Sequence, residues 1–81
     1  MGVKDLRDAF SVAAPGYSCS QATLSYDRAH DTEWQILMFR GTDSSGMPFE
    51  VTSDPVPPSG DIMEETAKTA QRLVSQRSLP P

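Results

Sequence analysis

Residues 33–40 read Glu-Trp-Gln-Ile-Leu-Met-Phe-Arg, with apolar side chains on both parities of an extended chain. A strand sends successive side chains to opposite faces of a sheet, so such a run needs cover on both sides. A run this short and this apolar suits a central strand with a neighbour on each flank. The rest of the chain then has to supply the flanking strands and the cover.

The flanks are visible by period. From Ser18 to Arg28, Ala22, Leu24 and Tyr26 alternate with Thr23, Ser25 and Asp27, which is the period of a strand with one buried and one wet face. Met47, Phe49 and Val51 alternate with Pro48, Glu50 and Thr52 in the same way. Pro48 places that strand at a sheet edge, because proline gives no hydrogen to the ladder. Ala29-His-Asp-Thr32 and Gly41-Thr-Asp-Ser-Ser-Gly46 are short, turn-forming links, so the three strands form an antiparallel meander.

The cover comes from two amphipathic segments. Val3, Leu6, Phe10 and Ala13 recur at helical spacing until Pro15-Gly16 stops them. Asp61 then caps a second helix with Glu64 in the capping-box position, and Met63, Ala67, Ala70, Leu73 and Val74 form its apolar stripe. Acids open this helix while Lys68, Arg72 and Arg77 follow, in keeping with its dipole. The segment between, Asp54-Pro-Val-Pro-Pro58, is an extended connector. Its minimal P-x-x-P spacing lacks the flanking arginine of an SH3 ligand.

The expected fold is therefore α+β in the order α-β-β-β-α. Helices near 3–13 and 62–77 pack on one face of a meander near 18–28, 33–40 and 47–54. With 81 residues the chain has room for a single core. The whole of 1–81 is read as one domain, ordered over about 3–77, with a Pro-rich connector at 54–60 and a tail at 78–81. The expected core is Leu6, Phe10, Leu24, Tyr26, Trp34, Ile36, Met38, Phe49, Val51, Ala70 and Leu73. Gln35 shares a parity with Leu37 and Phe39, so Trp34, Ile36 and Met38 are assigned inward and Leu37 and Phe39 to the open face.

The α-β-β-β-α order resembles that of double-stranded-RNA-binding domains, and His30 falls in the loop where those domains often carry a histidine. Their informative motif is a lysine cluster opening the last helix, set to meet phosphates. Here that position reads Asp61-Ile-Met-Glu-Glu65, a reversal of charge that removes the mechanism. Direct nucleic-acid binding is not expected.

Catalytic and metal chemistry find little support. Ser18, Cys19 and Ser20 offer nucleophiles and His30 with Asp31 a base and an acid, but adjacent residues on a hairpin loop point apart. One cysteine and one histidine are too few for a structural zinc site. The reading assigns no catalytic residue, no cofactor and no metal. The N-terminus has no apolar signal stretch and no run reaches membrane-spanning length, so a cytoplasmic location is expected.

What remains is binding. Between Arg40 and Lys68 the chain holds six acids and no base, a distribution that favours a partner with a basic surface. Leu37 and Phe39, ringed by Glu50, Asp54 and Asp43 and joined by Glu64 and Glu65 of the last helix, are the expected partner-binding residues. The chain then reads as a small acidic inhibitor or adaptor that occludes a protein or nucleoprotein partner, itself a monomer or weak homodimer. Its size and charge are similar to those of phage-encoded inhibitors of host defence, anti-CRISPR proteins among them, although no motif identifies such a family. The alternatives are a subunit or homodimer joined through the sheet face, and an RNA-binding-like module.

Overall fold

The computed structural model describes residues 2–29 and 32–78. Its elements are α1 (Val3–Ala13), β1 (Ser18–Ala29), β2 (Thr32–Thr42), β3 (Pro48–Thr52) and α2 (Ile62–Ser78). The sheet has the order β1-β2-β3 with both pairs antiparallel, so the expected meander and helix boundaries hold to within a residue or two. His30, Asp31 and most of the 78–81 tail lie outside the described residues.

Local chemistry accounts for the element ends. The Gly2 N–H donates to the Asp5 carboxylate at 3.1 Å as α1 begins. Gly16, at φ 88°, reverses the chain after its last turn. Asp61 caps α2 by accepting the N–H groups of Met63 (2.9 Å) and Glu64 (3.2 Å). Glu64 does not reach back to complete a capping box; its carboxylate lies 3.5 Å from Lys68 instead.

The core forms where the helices meet one face of the sheet. Phe10 of α1 has its ring centroid 4.6 Å from that of Phe39 and 5.5 Å from that of Phe49, spacings at which aromatic pairs attract beyond simple burial. Leu6, Ala14, Ala22, Leu37, Ala70 and Leu73 close around them. On α2 the buried stripe is Thr66, Thr69, Ala70 and Leu73, displaced from the apolar stripe read in the sequence. The two threonines can be buried because each hydroxyl donates to the carbonyl four residues back, Ile62 and Glu65, both at 2.8 Å.

The middle strand has the opposite parity to the one expected. Leu37 and Phe39 are fully buried, whereas Trp34, Ile36 and Met38 are only partly covered and belong to the open face. Register decides this. Leu37 stands opposite Leu24, and Phe39 lies between Ala22 and Val51, while Ile36 and Met38 stand opposite Ser25, Thr23 and Thr52. Directly opposed residues share a face, so the apolar sets of the outer strands draw the odd-numbered residues of β2 inward. Three further core assignments are revised. Tyr26 is 61% exposed because it lies toward the tip of the β1–β2 hairpin, and Leu24 and Val51 pack at the margin of the cluster.

The connector is more than a linker. Beyond β3, Ser53 donates its N–H to the Leu37 carbonyl (2.7 Å) and accepts the Leu37 N–H on its hydroxyl (3.0 Å). Val56 then exchanges two backbone bonds of 2.8 Å with Gln35. Val56 is buried, which leaves the P-x-x-P segment unsuited to an SH3-type groove.

Leu37→Ala should cost about 2–5 kcal/mol of stability, while Ile36→Ala, on the open face, should cost about 1 kcal/mol or less. Urea titrations of the two variants check the parity of β2.

Candidate interaction surface

The open face of the sheet is built by the residues that point away from the helices. Its centre is the row Trp34, Ile36 and Met38 on β2. On the β1 side this row is matched by Asp27, Ser25 and Thr23, and on the β3 side Met38 meets Thr52. The row ends at Arg40, whose guanidinium lies 3.0 Å from Glu50 across the strand pair. An apolar row framed by hydroxyls and closed by a charge pair thus differs from the expected acid-ringed Leu37 and Phe39 in both its centre and its rim.

Two side chains on this face are held in place. The Trp34 indole N–H donates to the Thr32 hydroxyl at 2.7 Å, and the Ser25 hydroxyl donates to the Ile36 carbonyl at 3.4 Å. The polar edge of the indole is therefore satisfied while the residue stays partly exposed.

The sequence-predicted site residues do not converge. Leu37 and Phe39 are in the core and cannot meet a partner. Glu50 is on the open face. Asp54 follows the end of β3, where Arg72 comes within 3.6 Å. Glu64 and Glu65 open α2, in the helical layer on the other side of the sheet. Asp43 is committed to the fold. Its Oδ1 accepts the N–H and hydroxyl of Ser45 (2.9 and 2.7 Å) and the N–H of Met47 (2.9 Å), and Oδ2 accepts from Arg77 at 2.8 Å. Its side chain is only 8% exposed.

The acidic stretch is thus largely neutralised in space. Asp43, Glu50, Asp54 and Glu64 each face a base from outside the stretch: Arg77, Arg40, Arg72 and Lys68. Linear separation concealed these pairs; only Glu64 and Lys68 have a spacing that sequence can read.

Other chemistry finds no assembled site among the described residues. No group of three or more His, Cys, Asp or Glu side chains could hold a metal. Burial pushes the Cys19 thiol above its usual range, which disfavours the reactive thiolate. Beside it an open depression is lined by Ser20, Arg40, Glu50 and Arg77. Its polar groups are already engaged, Ser20 with the Arg40 carbonyl and Arg77 with Asp43 and the Pro48 carbonyl. Among the described residues, Nε of Arg7 is a buried side-chain nitrogen without a hydrogen-bond partner. Among the described residues no helix is long and apolar enough to cross a membrane. No family model, curated protein or solved structure matches the chain.

The Asp43 turn has a pH signature. Hydrogen bonds from Ser45 and Met47, then from Arg77, hold its carboxyl well below the usual carboxylate range. A lowered folded-state pKa means stability that is present above the unfolded value, near 4, and lost as pH falls through the folded value. Asp43→Asn should therefore melt several degrees below the parent at neutral pH. That gap should narrow as pH falls from about 4 toward 2, which thermal melts across pH check.

Proposed function

We propose that this protein is a non-enzymatic binding protein that docks a protein or nucleoprotein partner on the open face of its sheet, acting as an inhibitor or adaptor. The observation that carries this reading is the Trp34–Ile36–Met38 row, partly exposed and framed by Thr23, Ser25 and Thr52. A flat sheet face with one aromatic and two flexible or branched apolar side chains suits a protein surface better than a small molecule, which needs a concave site.

Charge has a smaller part than the sequence pattern suggested. The ion pairs leave the surface of mixed sign locally, while the net charge of −4 persists at long range. That net charge favours encounter with a basic partner, and the apolar row supplies residence time. It also disfavours duplex RNA, since Arg40, the cation on this face, is already paired with Glu50. A phage-encoded inhibitor of host defence, of the anti-CRISPR kind, is a setting that fits this size and charge.

The test uses Ile36→Glu, which places a charge in the centre of the row at a position the fold tolerates. Affinity capture from the native host identifies the partner of the parent chain, and surface-binding kinetics then compare the two. Ile36→Glu should weaken the complex by about tenfold or more, mainly through faster dissociation. An affinity within about threefold of the parent, in a variant that circular dichroism shows folded, would place the docking surface elsewhere.

A further inference from the structure

The two edges of the sheet differ. On the β3 side the edge carries Pro48 and continues into Pro55, Pro57 and Pro58, with Val56 bridged to Gln35. Proline along an edge blocks the pairing of another strand. The β1 edge runs from Ser18 to Ala29 with no proline, glycine or lysine. Its protection is a bulge between Cys19 and Gln21 and the charges at Asp27 and Arg28 near the tip. From Gln21 to Asp27 the edge is regular.

The directions of its peptide groups follow from the bonds of β2. Gln35 and Leu37 exchange backbone bonds with Val56 and Ser53, so the odd-numbered peptides of β2 point toward β3. The even-numbered ones point toward β1, as the Ser20 and Ser25 hydroxyls bonding the carbonyls of Arg40 and Ile36 also indicate. Thr23, Ser25 and Asp27, opposite Met38, Ile36 and Trp34, therefore spend their peptide groups inside the sheet. Ala22, Leu24 and Tyr26 turn theirs out to the free edge. These outward groups are symmetric about Leu24, and so is the regular stretch from Gln21 to Asp27.

We propose that β1 pairs antiparallel with β1 of a second copy about a two-fold axis at Leu24, joining two three-stranded sheets into one of six strands. Leu24 exchanges two backbone bonds with Leu24 of the second copy, and Ala22 and Tyr26 do the same reciprocally. The side chains agree with this register. Leu24 meets Leu24, and Tyr26, 61% exposed in the monomer, comes over Ala22. On the open face Thr23 meets Ser25, and Asp27 meets Gln21, which is itself paired with Arg40. A row of Asp27, then Gln21, Arg40 and Glu50 of the second copy alternates in sign and sets no like charges opposite one another. The α1 helices that pack over the two β1 strands carry both signs, Lys4 and Arg7 with Asp5 and Asp8, so their approach is not opposed by one-signed repulsion. An edge contact of this kind is smaller than a standard interface, so the dimer is of micromolar affinity or weaker. The pairing does not depend on the open face being a docking site, but it would set two such faces side by side.

The test is sedimentation velocity of the full chain from micromolar to millimolar concentration. The expected result is a reversible monomer–dimer equilibrium, weakened about tenfold or more by Tyr26→Pro, which removes an outward N–H without touching the bonds to β2. Register is read separately in a Cys19→Ser background. A mixture of Thr23→Cys and Ser25→Cys chains should cross-link oxidatively to the mixed disulfide, since the proposed register brings their Cα atoms to about 4.5 Å. Each variant alone should cross-link far more slowly. A monomer at every concentration would overturn the proposal and leave the β1 edge to a strand of another protein. A dimer that resists Tyr26→Pro, or that Ile36→Glu abolishes, would overturn it in favour of face-to-face association.

Discussion

Phe39 lies beneath Phe10, between Ala22 on one strand and Val51 on the other, and the rest of the molecule is arranged around that contact. A small domain buries about 60% of the surface its unfolded chain exposes, so it must concentrate its apolar volume. Here α1 delivers one large ring to the sheet, and β2 and β3 supply two to receive it. The position of Phe39 on the central strand fixes which parity of β2 is covered. Everything facing the other way, Trp34, Ile36 and Met38 included, is thereby placed on the open side. Core and candidate site are thus two consequences of one register.

The second organising element is ionic. The β2–β3 turn closes around Asp43, with Gly46 at φ 86° completing the reversal. Arg77 then ties the far end of α2 to that turn, and Arg72 ties its middle to the Thr52 carbonyl at 2.6 Å. Exposed ion pairs of this kind contribute little individually. The Asp43–Arg77 pair differs because Asp43 accepts three further hydrogen bonds and is nearly enclosed. It joins the C-terminal turn of α2 to the β2–β3 turn. Of the acids that looked like a rim for a basic partner, Asp43 and Asp54 fasten α2 to the strand ends, Glu50 pairs within the sheet and Glu64 within α2.

Element order, strand pairing and helix ends were legible because they rest on local signals: period two, helical spacing, the Pro15-Gly16 stop and the Asp61 cap. The parity of β2 was not, because its apolar residues occupy both faces and Gln35 is a weak arbiter. The missing information was register. Once Thr42 is known to face Pro48, the inward set of Phe49 and Val51 selects Gly41 and Phe39. The β2–β3 turn sets that pairing and the bulge between Cys19 and Gln21 adjusts the β1–β2 one, and neither is printed in composition or period. Gly41 shows how closely β1 approaches β2 there, since a Cβ would collide with the Ser18 carbonyl. The stripe on α2 was misplaced for a different reason. Thr66 and Thr69 read as polar, yet each satisfies its hydroxyl within the helix and is buried as a small apolar residue. The site reading inherited the parity error, so its central residues were exchanged, and its acidic rim gives way to hydroxyls and paired charges.

The open face and the β1 edge are adjacent, and the same alternation produces both. In β1 the residues that bond inward to β2 are those whose side chains stand on the open face, Thr23, Ser25 and Asp27. Those whose peptide groups turn outward to the free edge, Ala22, Leu24 and Tyr26, stand on the helical face. A strand added at the edge would therefore extend the open face without altering its composition, continuing the hydroxyl-rich margin beside Ile36 and Met38. The proline-bearing edge cannot do this, because its missing donors and the Ser53–Val56 excursion interrupt the ladder. Growth of this sheet is thus possible in one direction only. An assembly built that way closes at two copies, since each copy has a single open edge to offer.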